Sequence, residues 1–205
     1  MANKVSVATS SPIFAGMDLT DIPLDFAGDQ VVKRLYLDRA KLHSVDLEDC
    51  TSLMFIQMID IESLAGQIKL EGCSALEEII ARGWPHSTYS IGDLPALKTL
   101  DIRDSDNISE VNLGEILAIE SITAGNCPNL EEIGISENFT ALVDLKLFDC
   151  ALTQSVVNDI LVTLDAAGAE NGEVDLAGGT SAAPNGAGAT AVTSLEGKGW
   201  NVNTN

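Results

Sequence analysis

The stretch Leu42-x-x-Val45-x-Leu47-x-x-Cys50 decides the fold, because the same nine-residue pattern returns along the 205-residue chain. The further copies are Ala65-x-x-Ile68-x-Leu70-x-x-Cys73, Leu97-x-x-Leu100-x-Ile102-x-x-Ser105, Ile119-x-x-Ile122-x-Ala124-x-x-Cys127 and Leu142-x-x-Leu145-x-Leu147-x-x-Cys150. Residues at i and i+2 of an extended segment point to the same side, so each copy predicts a short strand with two inward side chains. Because Cys50 and Cys73 are 23 residues apart, as are Cys127 and Cys150, the pattern predicts a stack of equal coils.

A second apolar segment follows each cysteine, as in Cys50-x-x-Leu53-x-x-Ile56. One coil is therefore expected to carry two extended segments on opposite faces. We expect face one to contain Val45, Ile68, Leu100, Ile122 and Leu145, and face two to contain Leu35, Ile56, Ile79, Val111 and Ile133. The predicted fold class is an α/β repeat, a β-rich solenoid with a parallel sheet.

The LxxLxLxxC…LxxI pattern resembles the leucine-rich-repeat family, and in particular the short cysteine-type repeats of bacterial proteins, over about residues 32–150. The resemblance implies a right-handed coil whose second face is mostly extended. The segment from Ala151 to Asn205 is similar to the terminal module of repeat proteins from bacteria and their phages. There, Thr153 is placed as the N-cap of a helix that ends near Gly168. A strand at Val174, a short helix at about 189–196 and a final segment at Trp200 are expected to follow.

We expect one structural domain with three parts: an N-terminal cap (1–31), the repeat solenoid (32–150) and the helix-containing C-terminal coils (151–205). Ile22, Leu24 and Phe26 are the apolar residues of the cap. Between Ile68 and Leu100 lie 32 residues, where one coil takes 22–23. This excess predicts an interruption of the repeat at 82–89.

The net charge of −20 and the pI near 4.1 disfavour nucleic acid and anionic membrane surfaces as partners. No apolar run reaches the roughly 20 residues of a membrane span, and Met1–Val7 lack the pattern of a secretory signal. The expected location is therefore cytoplasmic or virion-associated, with no membrane insertion.

The four cysteines predict a buried ladder of free thiols that bond weakly to loop backbone groups, because no C-x-x-C pair exists and the histidines are not at zinc-ligand spacing. The acidic stretch at 101–107 has some features of a calcium-binding loop, but Ile108-Ser109 breaks the EF-hand pattern. Only His43 and His86 offer an imidazole base, and no nucleophile or phosphate-loop motif accompanies them. We therefore expect no enzyme activity, cofactor or metal.

Two regions are candidates for partner binding. The first is the segment 82–89, for which two interpretations stay open: recognition of a partner, or a structural bulge that packs the indole of Trp84 over a coil edge. Its candidate residues are Arg82, Trp84, His86 and Tyr89. The second is the solvent side of face one, where charges alternate in sign. Such alternation is also typical of an ordinary solvated face. Its candidates are Lys69, Arg103, Lys146 and Phe148, among Asp46, Glu48, Glu71, Asp101 and Thr123.

The sequence thus predicts a non-enzymatic recognition or scaffold module that binds a protein or a glycan through the solenoid face and the 82–89 loop. The alternative prediction is a structural or surface component of a phage particle or microbial surface assembly. The pattern leaves the oligomeric state open.

Overall fold

The chain winds into a parallel β-solenoid, and the computed structural model describes residues 10–205 of it. In the first part of the chain the strands are β1 Asp18–Leu19, β2 Leu24–Asp25, β3 Arg34–Tyr36, β4 Lys41–Leu42, β5 Val45–Asp46, β6 Phe55–Gln57, β7 Ser63–Leu64, β8 Ile68–Lys69 and β9 Glu78–Ile80. They continue as β10 Thr88–Ile91, β11 Thr99–Asp101, β12 Glu110–Leu113, β13 Ser121–Thr123, β14 Glu132–Ile133, β15 Asp144–Lys146, β16 Glu173–Asp175 and β17 Asn201–Asn203. Two helices, α1 Gln154–Ala167 and α2 Gly186–Gly197, lie in the last coils.

Eight of these strands form one continuous parallel sheet, the main sheet, in the order β3-β6-β9-β11-β13-β15-β16-β17. Its middle residues pair in one inward column: Leu35, Ile56, Ile79, Leu100, Ile122, Leu145, Val174 and Val202. Successive members are 21 to 23 residues apart up to β15 and 28 or 29 apart where a helix is added. The first seven are fully buried, so each coil covers the apolar side of the next.

Shorter parallel sheets form the other sides of the coils. In the N-terminal coils there are two, β1-β4-β7 and β2-β5-β8, and we call the second the Val45 sheet. In the middle coils one sheet, β10-β12-β14, takes their place, and we call it the Val111 sheet. The coil is therefore three-sided at first and two-sided later.

The expected assignment of two faces is wrong. Val45 and Ile68 belong to the Val45 sheet, whereas Leu100 belongs to the main sheet together with the supposed face-two residues Ile56 and Ile79. The nine-residue pattern changes sides because one type of turn closes both kinds of corner. A residue with positive φ precedes Cys50 beside the Val45 sheet (Asp49, φ 58°) and precedes Cys127 beside the main sheet (Asn126, φ 55°). Asp, Asn and Gly tolerate this left-handed conformation best, so both corners show the same sequence.

The predicted interruption of the repeat is also wrong. The interval from Ile79 to Leu100 is 21 residues, which is one regular coil of the main sheet. The 32-residue interval arises because Ile68 and Leu100 lie on different sides of the solenoid. The segment 82–89 is therefore part of a coil of regular length, which lacks a strand of the Val45 sheet.

The cysteines are free and buried, as the sequence predicts. They form two ladders, whereas the sequence predicts one. Cys73 Sγ donates to Leu47 O at 3.1 Å beside the Val45 sheet, and Cys150 Sγ donates to Ala124 O at 3.1 Å beside the main sheet. Ser105 occupies the second ladder and its hydroxyl donates to Ile102 O at 2.8 Å. Burial raises the pKa of the Cys73 thiol to about 12, which keeps it protonated.

The C-terminal coils confirm the predicted helices. Thr153 Oγ1 accepts from the N–H of Val156 at the start of α1, and Gly168 ends that helix with φ 81°. Within residues 10–205 no helix is both long and apolar enough to cross a membrane. The segment Met1–Val7, where the sequence predicts no secretory signal, and the first part of the predicted cap (1–31) lie outside the described residues.

We expect Cys127→Asp to lower the free energy of unfolding by about 3–5 kcal/mol, because it places an unpaired charge in a closed ladder. Urea unfolding followed by circular dichroism measures this. Cys127→Ser is the matched control and should cost only about 1 kcal/mol, since Ser105 already serves in the same ladder. Equal unfolding midpoints for Cys127→Asp and the parent protein would contradict the placement of this residue.

Candidate partner-binding surface

The eight candidate residues occupy three different places in the structure. Four lie along the outer face of the main sheet: Arg82, Arg103, Lys146 and Phe148. Two, Lys69 and His86, line a groove on another side of the solenoid. The remaining two, Trp84 and Tyr89, are buried, with 8% and 3% of their surface exposed. The single binding face that the sequence predicts is therefore divided.

On the outer face of the main sheet, the N-terminal half carries a column that is mainly apolar, with one amide, Gln57, in the middle. Ile13 forms a bridge with Tyr36, and Tyr36, Gln57 and Ile80 are successive partners in the sheet, so their side chains point to the same side. Ile13 is 67% exposed, which is high for an isoleucine on a sheet. Isolated apolar side chains at a surface are ordinary, whereas several in neighbouring rungs make this half of the face more apolar than the other half.

Aromatic and cationic side chains flank this column. The rings of Tyr36 and Phe55 lie 5.4 Å apart, and the Arg34 guanidinium lies 5.2 Å from the centre of the Phe55 ring. These two contacts cover Phe55, which is 7% exposed. Tyr36 and Arg34 remain accessible, and they present a planar aromatic group and a cation side by side.

Asp101 holds two further arginines in place on the same face. Arg82 donates from Nε to Asp101 at 2.8 Å, and Arg103 donates from Nη2 to the same carboxylate at 2.9 Å. Burial by itself would raise the pKa of Asp101, but the hydrogen bonds from Arg103 and Arg82 hold that pKa below its ordinary value. The carboxylate thus fixes both guanidinium groups at the edge of the apolar column.

The C-terminal half of the same face is polar. Lys146 forms ion pairs with Asp144 at 2.8 Å and with Glu173 at 3.3 Å. Phe148 lies over Gly125, where a Cβ atom would collide with its ring. Phe148 therefore fills the space above a glycine within the face and stays partly exposed.

Trp84 and Tyr89 form part of the core. Their rings meet edge to face with centroids 4.9 Å apart. Trp84 Nε1 donates to Thr88 O at 3.1 Å, and its backbone N–H donates to Ser105 Oγ at 2.9 Å. Both N–H groups of Trp84 are thus occupied inside the protein. Its role in recognition stays a prediction, and it requires local opening of the coil.

The groove lies where the Val45 sheet ends and the Val111 sheet begins. Its volume is about 590 Å³, and residues of β8 and β10 form its two walls. Lys69 at its rim pairs with Asp46 at 3.0 Å, and the buried Nε2 of His86 has no hydrogen-bond partner among the described residues. The 10–205 segment contains no group of three or more His, Cys, Asp or Glu side chains that could hold a metal ion.

Sequence reasoning missed Arg34, Tyr36 and Ile80 as surface residues of the main sheet. A usable signal was present, because Leu35-x-Leu37-x-x-Ala40 has the same form as Leu145-x-Leu147-x-x-Cys150. With alanine in place of cysteine, Val32 to Ala40 is interpreted only as a short first unit, and Leu35 is assigned to face two. Aligning it would have placed Tyr36 in the same outward column as Lys146.

Comparison with known proteins does not assign the chain to a family. No protein-family model, curated protein or solved structure matches it. The parallel β-solenoid is therefore the level at which the fold is defined.

We expect Asp101→Asn to lower the free energy of unfolding by about 2 kcal/mol at pH 7, because two guanidinium groups lose a charged acceptor. A carboxyl group with a lowered pKa stabilises the fold above its ordinary pKa and loses this effect as pH falls through the folded value. The difference from the parent should therefore shrink below about pH 3.8. Urea unfolding from pH 7 to pH 2.5 tests this, with the exposed Glu120→Gln as control; a difference that does not change with pH would refute the proposed role of Asp101.

Proposed function

We propose that this protein is a non-enzymatic recognition module that binds a protein partner through the N-terminal half of the main sheet's outer face. We call this area the Tyr36 surface; it consists of Ile13, Arg34, Tyr36, Gln57, Ile59, Ile80, Arg82 and Arg103, together with Asp38, which accepts hydrogen bonds from Gln57 Nε2 and from the N–H of Ile59. The observation that carries the proposal is the concentration of exposed or half-buried apolar, tyrosine and arginine side chains there. Tyrosine and arginine are the residues that contribute most often to binding energy at protein interfaces.

The charge distribution supports this choice. The chain has only four arginines against a net charge of −20, and all four lie in or just after strands of the main sheet, at Arg34, Arg39, Arg82 and Arg103. Arg34 is exposed and makes no ion pair among the described residues. The fitting partner surface is therefore apolar at its centre and offers a carboxylate opposite Arg34.

A rigid scaffold supports the same conclusion. The Tyr36 surface is built on parallel strands whose inner residues, such as Leu35 and Ile56, are fully buried. The backbone of such strands loses little further freedom on binding, which favours affinity. We further propose that the coils are short cysteine-type leucine-rich repeats, supported by their pattern and by the parallel sheet. The role of a phage or surface-assembly component stays a prediction that no specific contact favours.

Binding of the protein to immobilised protein and glycan arrays tests the proposal. We expect binding to protein spots and a loss of at least about tenfold in affinity for the Arg34→Ala/Tyr36→Ala double variant, because each side chain contributes about 1 kcal/mol or more. The matched control is Thr123→Ala/Lys146→Ala on the polar half of the same sheet, which should bind as the parent does. Binding to glycan spots alone, or protein binding equal in both variants, would overturn the proposal.

A further inference from the structure

The ladder of backbone hydrogen bonds in the Val45 sheet ends at β8, because the coil that follows adds no strand to this sheet. In the first rung Leu24 N–H donates to Ser44 O at 3.0 Å, and in the second Val45 N–H donates to Gln67 O at 3.0 Å. The corresponding donor in the third rung is Ile68. Its N–H has no acceptor among the described residues, because β8 pairs only with β5.

The same termination repeats along the strand. Leu47 N–H donates to Lys69 O at 3.0 Å and Asp49 N–H donates to Glu71 O at 2.8 Å, whereas the equivalent N–H groups of Leu70 and Gly72 have no acceptor within the described part of the chain. Three donors are therefore unpaired along this edge, and two of them, those of Ile68 and Leu70, belong to residues that line the groove. Three donors spaced along one strand edge are what a further strand needs in order to pair.

The next coil does not supply that strand. After β9 the chain turns through Trp84 and Pro85, where the indole is held in the core by Ser105 and by Thr88 O. Proline has no N–H and cannot contribute a donor to a sheet at this position. The chain then starts the Val111 sheet with β10, which pairs only with β12, so its other edge is also unpaired.

The inner side of the missing rung is apolar. Leu24 and Val45 in the Val45 sheet are 3% and 0% exposed, because the following coil covers them, whereas Ile68 is only partly buried. Leu64, Ile91 and Ile68 contribute apolar surface to the groove. Its volume of about 590 Å³ is within the range of known binding sites, about 300–1,000 Å³.

We propose that this groove binds an extended segment of a partner protein as an additional parallel strand on β8. The strand places small apolar side chains opposite Ile68 and Leu70 and a basic side chain opposite Glu71. The charge preference follows from the rim, where Lys69 is paired with Asp46 and Glu48, while Glu71 has no ion pair among the described residues. The net charge of −20 favours a basic segment as well. Main-chain hydrogen bonds give such a strand its affinity, and the alternating side chains give it specificity.

This site is separate from the Tyr36 surface and does not depend on it. The groove is lined by β8 and β10, whereas the Tyr36 surface lies on β3, β6 and β9 of the main sheet. The two sites share no residue, so different variants test them.

The test uses a fluorescent blocked peptide, Ser-Val-Thr-Val-Lys-Ser, with Ser-Val-Thr-Val-Glu-Ser as its control. We expect the lysine peptide to bind at least about fivefold more tightly, and Glu71→Lys to reverse the preference, in fluorescence anisotropy at low salt. Ile68→Pro removes one edge donor at a position where proline is compatible with an edge strand, and Ile68→Val is its matched control. The proline variant should bind at least about fivefold more weakly than the valine variant.

Hydrogen exchange on the unaltered protein gives a readout that needs no substitution. The amides of Ile68, Leu70 and Gly72 should exchange rapidly in the free protein and at least about tenfold more slowly with saturating peptide. Tyr36→Ala should leave peptide binding unchanged. Absence of protection at these three amides would overturn the proposal, as would protection that rises with protein concentration alone, which would assign the groove to a second copy of this chain.

Discussion

The backbone hydrogen bonds between successive coils are the constraint on which this structure depends. A short strand such as β6 contributes only three residues, too few to be stable alone, so each coil needs its neighbours on both sides. The main sheet meets this need without a break from β3 to β17. Its inner column is aliphatic because repeated rungs bring equivalent side chains into contact, and each fully buried leucine or isoleucine contributes about 1.5–3 kcal/mol.

The other sides of the solenoid follow this constraint less strictly, and the exceptions are where surfaces for recognition arise. When the coil changes from three sides to two, Trp84 and Tyr89 close the core and the last strand of the Val45 sheet keeps an unpaired edge. On the main sheet no edge is free between β3 and β17, so recognition there has to use side chains. The two proposed sites thus differ in chemistry: backbone donors in the groove, and tyrosine and arginine side chains on the Tyr36 surface.

The coil length, the buried thiols and both C-terminal helices could be predicted from the sequence, because each leaves a local pattern. The sides of the coil could not, because Asp49-Cys50 and Asn126-Cys127 make the same turn next to different sheets. This error also produced the apparent interruption at 82–89 and hid Tyr36. Periodicity gives the length of a coil but not the corner at which a given copy lies, since that depends on pairing between residues distant in sequence.

The continuous register of the main sheet is the central claim, and disulfide formation between neighbouring strands tests it most directly. Glu78 and Thr99 are partners in adjacent parallel strands, so Glu78→Cys/Thr99→Cys should form a disulfide under mild oxidation without loss of stability. In the competing register, with Ile68 opposite Leu100, Gln67 would neighbour Thr99. Rapid cross-linking of Glu78→Cys/Thr99→Cys and none in Gln67→Cys/Thr99→Cys is the predicted result; the reverse would contradict the account.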